Sequence, residues 1–185
     1  MTAGRSSSAV SGVVAEAARR LDSRLDAEIL VAHGLHVDRS WLYAHGDEAV
    51  PQAVRERIEE LVSARQRGVP VAYLLGEREF HGRTFLVDER VLVPRPETEL
   101  LVEWALKHPL PDAATVADIG TGTGCIALTL AAERPGWHVL ATDVSDDALR
   151  VASENRERLG LQDRVELLNG DLLEPLAGRT LGQRV

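Results

Sequence analysis

The residues with the clearest chemical meaning are Asp118-Ile119-Gly120-Thr121-Gly122-Thr123-Gly124-Cys125. Three glycines on a strand-to-helix turn let a backbone approach a ligand closely. The helix that follows offers N–H groups without intrahelical partners and the positive end of a dipole. A glycine loop alone is a weak signal, because nicotinamide-binding proteins use one too. Two details discriminate. A dinucleotide site usually keeps Gly or Ala where this chain has Cys125, and it seldom has an acid two residues before the first glycine. Asp118 holds that place. A carboxylate there pairs with an ammonium group, or else caps the N–H groups of the loop. No Gly-Lys-Ser/Thr follows, which excludes a P-loop.

Two more acids fall at related places. Asp143 ends a second apolar run and can accept both hydroxyls of a ribose. Asp171, in Asn169-Gly170-Asp171-Leu172, follows a third run. It can accept a hydrogen bond from an adenine amino group, with Leu172 against the ring. Three acids at three successive strand ends converge on one crevice.

The elements that must position them follow from the pattern. Thr115–Ile119 reads as a strand, Cys125–Glu133 as a helix, Trp137–Thr142 as a strand, 146–160 as a helix and Arg164–Leu168 as a strand. Strand–helix alternation predicts an α/β parallel, doubly wound sheet. Upstream, residues 10–67 show helical spacing. Val10, Val13, Val14, Ala17, Ala18 and Leu21 form one stripe. Asp22 or Ser23 caps a second helix that stops at Gly34. A short piece surrounds Trp41, with Trp41 and Tyr43 in the core. A further helix starts with Pro51 in its first position and closes at Gly68. Between these regions, Gly82-Arg83 reads as the two-residue turn of a hairpin. Residues 97–108 read as a helix with Leu100, Leu101, Trp104 and Ala105 inward. The expected layout is a helical domain over 1–68, a β-hairpin linker over 69–96, and a nucleotide-type α/β domain over 97–185.

Composition sets limits. The chain has 185 residues, 21 basic and 29 acidic side chains, and a net charge of −8. An acidic chain exerts no global pull on nucleic acid, so no direct nucleic-acid partner is expected. No apolar run reaches the length of a membrane helix, and no membrane association is expected. Cys125 is the sole cysteine, which excludes a disulfide framework. Its place at a helix start would lower a thiol pKa, but a small packing residue is the simpler reading. His33 and His36 lack a third nearby ligand, so no metal site is expected. Residues 1–9, MTAGRSSSA, read as a frayed tail without a secretory core.

The sequence resembles the HemK/PrmC family of protein-(glutamine-N5) methyltransferases, which belong to class I S-adenosylmethionine-dependent enzymes. The resemblance rests on Asp118–Gly124, Arg24–Leu30, Pro70–Gly76, Arg78-Glu79-Phe80 and Leu92–Glu99. It implies a helical amino-terminal domain joined by a β-hairpin to a methyltransferase domain. It also implies S-adenosyl-L-methionine as cofactor, held by Gly120, Thr121, Gly122, Thr123, Gly124, Asp143, Asp171 and Leu172, with Asp118 beside them. The implied partner is a class 1 peptide chain release factor, methylated on the glutamine of its Gly-Gly-Gln loop, in the cytoplasm. The family holds that amide with an Asn-Pro-Pro-Tyr motif, which this sequence lacks, so no catalytic residue is assigned. Thr180–Val185 does not read as the apolar strand expected there. The expectation is a carboxy-terminally truncated member, the first three strands of its sheet, inactive alone. The alternatives are a non-catalytic fragment that binds a release factor or ribosomal partner, and a nicotinamide-dependent oxidoreductase.

Overall fold

The computed structural model describes residues 8–178. Residues 1–7 of the tail read over 1–9, and the reading of Thr180–Val185 as a non-strand, lie outside the described residues. Ser8 and Ala9 are not frayed, since Ser8 O accepts from Val50 N–H at 2.9 Å and Ala9 bridges Ala49. The chain divides after Leu75 into two compact units.

The first unit is helical: α1 Val10–Leu21, α2 Arg24–Leu35, α3 Arg39–Ala44, α4 Gln52–Gln66 and α5 Val71–Leu75. The stripe on α1 is the one the spacing predicts, with Val10 and Ala17 buried and Val13, Val14, Ala18 and Leu21 packed around them. Ser23 caps α2, its hydroxyl accepting from the Asp26 N–H at 3.2 Å. Gly34 does not stop that helix, which runs on to Leu35 and ends at His36 in the left-handed region. Gly34 is instead a close-contact residue: a Cβ there would lie 2.4 Å from Ile58 Cγ1 of α4. Pro51 sits at the N-cap of α4 and not in its first turn. Tyr43 is exposed, while its hydroxyl reaches back to donate to Glu28 Oε1 at 2.7 Å.

The second unit opens with a hairpin, β1 Glu77–Phe80 and β2 Arg83–Leu86. Phe80 pairs with Arg83, so the turn is His81-Gly82, one residue earlier than predicted. Both turn residues have positive φ, 49° and 72°, as a type I′ turn demands. The turn amides are taken by acids, His81 N–H by Glu99 and Gly82 N–H by Glu79. Phe80 and Phe85 lie edge to face and are buried in the core of this unit. The stretch expected as a linker is thus divided: α5 stays with the helices and the hairpin packs into the second core.

A 3₁₀ turn, Pro96–Thr98, leads into α6 Glu99–Lys107. Of the residues predicted inward here, Ala105 is and Leu100, Leu101 and Trp104 are not. Val102 is buried and Ala105 and Leu106 pack on the core, whereas Leu100, Leu101 and Trp104 are 65%, 53% and 63% exposed. Glu99, Glu103 and Lys107 make one narrow polar stripe, and the wide apolar arc that remains holds both sets of residues, so spacing alone does not choose its buried side.

The sheet follows: β3 Thr115–Ile119, α7 Cys125–Glu133, β4 His138–Asp143, α8 Asp146–Arg158 and β5 Val165–Asn169. The strands are parallel in the order β3-β4-β5. Val116, Val139, Ala141 and Val165 contribute to the core from alternate positions. Ala117 and Ile119, of the opposite parity on β3, are exposed. Among the described residues no helix is long and apolar enough to cross a membrane.

Candidate cofactor-binding site

The site lies at the carboxyl ends of the three parallel strands, all within the second unit. Its floor is the loop from Gly120 to Gly124. Gly120, Gly122 and Gly124 have φ of 76°, 54° and 80°, values that L side chains rarely adopt. Gly124 is doubly constrained, since a Cβ there would meet Leu128 Cδ1 at 2.9 Å. At Gly120 and Gly122 a Cβ would meet nothing within 4 Å, so the loop's backbone is open to close approach there.

The loop is fastened from three directions. Gly120 and Thr121 both donate their N–H groups to the Thr142 carbonyl at 2.9 Å. Gly122 donates to Asp143 Oδ2, also at 2.9 Å. The Thr121 hydroxyl donates to Asp118 Oδ2 at 2.7 Å, and the Ala127 N–H of α7 donates to the same oxygen at 3.2 Å. Asp118 therefore holds the loop onto the first turn of α7; its partners are a loop hydroxyl and a helix N–H, and not the loop N–H groups weighed for it from the sequence. Its carboxyl is buried, and burial pushes its pKa above the ordinary range; the Thr121 and Ala127 bonds oppose that push and the nearby Asp143 charge adds to it.

Asp143 is partly exposed and already bonded on both oxygens, Oδ2 to Gly122 and Oδ1 to the Ser145 N–H at 3.0 Å. A carboxylate has about four lone-pair sites, so each oxygen keeps acceptor capacity. Ser145 in turn caps α8 through the Ala148 N–H. Asp171 lies just past β5 and is exposed. Its turn is held by Gly170 N–H on the Asp143 carbonyl at 3.1 Å and by Glu174 N–H on its own carbonyl at 2.9 Å. Leu172 has φ 46° and an exposed side chain. The structure thus brings Asp118, Asp143 and the Asp171-Leu172 turn to one end of the sheet. Thr123 is buried, its hydroxyl accepting from the Cys125 N–H at 3.2 Å.

Cys125 is buried, and that burial pushes its thiol up to about 11. Desolvation outweighs the helix terminus, so the lowering expected from the dipole does not occur.

Two residues of the site escape the sequence reading. Thr142 supplies the carbonyl that anchors the loop. Asn155 of α8, fully buried, accepts from Leu86 N–H at 2.7 Å and donates to Leu86 O at 3.1 Å and Thr123 O at 3.0 Å. An asparagine inside a helix is a poor helix former, and that was the available signal.

Family comparisons bear on this geometry. Residues 13–76 match the PrmC N-terminal domain, and residues 96–181 match the Methyltransferase small domain. The chain belongs to the HemK/PrmC family. Relatives named release factor glutamine methyltransferase include those of Shewanella oneidensis, 45% identical over 84% of this chain and 54% of the relative. The Xylella fastidiosa 9a5c protein of that name is 48% identical over 84% of this chain and 56% of its own. That of Nitratidesulfovibrio vulgaris is 41% identical over 94% and 61%. The chain spans little more than half the length of these relatives. Among solved structures, a precorrin-6y C5,15-methyltransferase from Geobacter metallireducens is similar over 51% of this chain and 48% of that one, at TM-score 0.43 and 18% identity.

Proposed function

We propose that the second unit binds S-adenosyl-L-methionine, and that this PrmC-family chain carries the cofactor side of a protein-(glutamine-N5) methyltransferase acting on the Gly-Gly-Gln loop of class 1 peptide chain release factors. One observation supports this most: an open glycine loop pinned to Asp143, with Asp118 beneath it, at the carboxyl ends of three parallel strands. The residues fit the cofactor. Gly120 and Gly122 leave the space that a close ligand needs. Asp143 keeps acceptor capacity for ribose hydroxyls while its bond to Gly122 fixes its direction. Asp171 and Leu172, exposed just past β5, offer an acceptor to an adenine edge and an apolar surface to its face. Thr121, Thr123 and Gly124 shape the loop.

When bound, the cofactor supplies an activated methyl group on a sulfonium. The chain's residues orient and hold; none needs to act as a nucleophile. An amide nitrogen is a weak nucleophile, so alignment is the main demand, and positioning can supply about 7–11 kcal/mol of a barrier. The amide-holding Asn-Pro-Pro-Tyr motif is absent from this sequence. We therefore expect the 185-residue chain to bind S-adenosylhomocysteine without methylating a release factor.

Titration calorimetry tests the cofactor. S-adenosylhomocysteine should bind and NADH should not. Asp143→Ala should weaken S-adenosylhomocysteine about 10- to 100-fold, the equivalent of losing a charge-assisted hydrogen bond or two. Tight NADH binding would overturn the reading, and methyl transfer by the chain alone would overturn the expected inactivity.

A further inference from the structure

We infer that the Thr142 hydroxyl is the positioning group for the adenine end of the site, holding the Asp171-Leu172 turn in a conformation it would not keep unaided. The inference rests on the cofactor reading above and extends it to a residue outside the glycine loop and the three acids.

Thr142 is fully buried and lies next to the end of the central strand, between Ile119 of β3 and Leu168 of β5. Its two polar groups serve two different loops. The carbonyl accepts from Gly120 and Thr121 and so fixes the glycine loop. The hydroxyl donates to the Leu172 carbonyl at 3.2 Å. Leu172 needs such a hold. A leucine at φ 46° is in a region that bulky side chains rarely adopt. Its side chain is 67% exposed, so its own burial does little to hold it there. Three hydrogen bonds brace the turn: Gly170 N–H to Asp143 O, Glu174 N–H to Asp171 O, and the Thr142 hydroxyl to Leu172 O. The first two join backbone to backbone. The third grips the strained residue itself, and it alone of the three can be removed by a side-chain exchange.

Thr142→Val replaces the hydroxyl by a methyl group of the same shape and leaves the carbonyl bonds to Gly120 and Thr121 in place. The loss should therefore fall on adenine recognition and not on the glycine loop. The probes are S-adenosylhomocysteine and its purine-riboside analogue, in which hydrogen replaces the 6-amino group. The natural chain should prefer the adenine ligand about tenfold, because the acceptor at Asp171 meets an amino donor in one and only a C–H in the other. Thr142→Val should reduce that preference to about twofold, and Thr142→Ser should restore it. Thr142→Ala, run in parallel, removes the same hydroxyl without adding a methyl group, and melting curves without ligand identify which variants are folded. A folded variant lacking the hydroxyl that keeps the tenfold preference overturns the inference. So does a natural chain that binds both ligands equally. Failure of the natural chain to bind either ligand is a different result and counts against the cofactor reading itself.

Discussion

Glu28 and Asp118 are both buried carboxylates, and their surroundings drive them in opposite directions. Glu28 on α2 accepts from Arg24 Nε at 2.8 Å, the Tyr43 hydroxyl at 2.7 Å and Arg39 at 3.0 Å. The Arg24 bond first, then that of Tyr43, brings its pKa down to about 2 from an ordinary 4.5. A value lowered by folding adds stability that is whole above about pH 4.5 and is lost as pH falls towards 2. Asp118 has the reverse sign. Its raised value means that the protonated form is favoured by folding, so its contribution is greatest in acid and declines as pH rises above the ordinary 3.8 and through the folded value. Glu28→Gln should accordingly lower the stability of the helical unit by about 1–3 kcal/mol at pH 7. The gap between Gln and Glu should narrow as pH is lowered from 5 towards 2, read by chemical denaturation at each pH. A gap independent of pH would remove the charge from the account of Glu28.

At the level of elements, the glycine loop was legible in the sequence because its requirements are local. Positive φ at positions 120, 122 and 124 demands glycine within five residues of chain. The strand positions were legible for a similar reason, to within a residue or so at each end. The face of α6 was not, because its narrow polar stripe, Glu99, Glu103 and Lys107, has Leu100, Leu101 and Trp104 on one flank and Val102, Ala105 and Leu106 on the other, and does not choose between them. Gly34 was misread as a helix stop, since its meaning lies in Ile58 of another helix. The roles of Thr142 and Asn155 were not legible for the same physical reason, although Asn155 is out of place in a helix: their partners stand 30 and 69 positions away in the chain. Asn155→Leu should cost the second unit about 3 kcal/mol or more, because it strands one N–H and two carbonyls in a buried place. Thermal unfolding checks this, and a loss below about 1 kcal/mol would show that water replaces the amide. Gly34→Ala should destabilise the helical unit by about 1–3 kcal/mol through overpacking. Ile58→Val in the same chain should recover part of that loss.

Over the whole molecule, two separate cores serve two units, and Cys125 is a reporter for one of them. Its thiol is buried and held near 11, so at pH 8 the folded unit should resist iodoacetamide and react only on opening. A ligand that binds only the folded unit slows that opening by its own occupancy. At a hundred times its Kd, S-adenosylhomocysteine should retard labelling about 100-fold. Glu28→Gln, which disturbs the other core, should leave the labelling rate of the native chain within about twofold. Rapid labelling without ligand would contradict the buried position of the thiol.

Asn155 has one more consequence, and it concerns other chains. Leu86 presents its N–H and C=O on the side of β2 that faces away from β1, and one carboxamide satisfies both. The side chain does there what a peptide unit of a third strand would do. An exposed strand edge is a template on which a second molecule can add a strand and begin to aggregate. At Leu86 that template is already filled, so replacing Asn155 would expose a place for intermolecular pairing as well as weaken the fold.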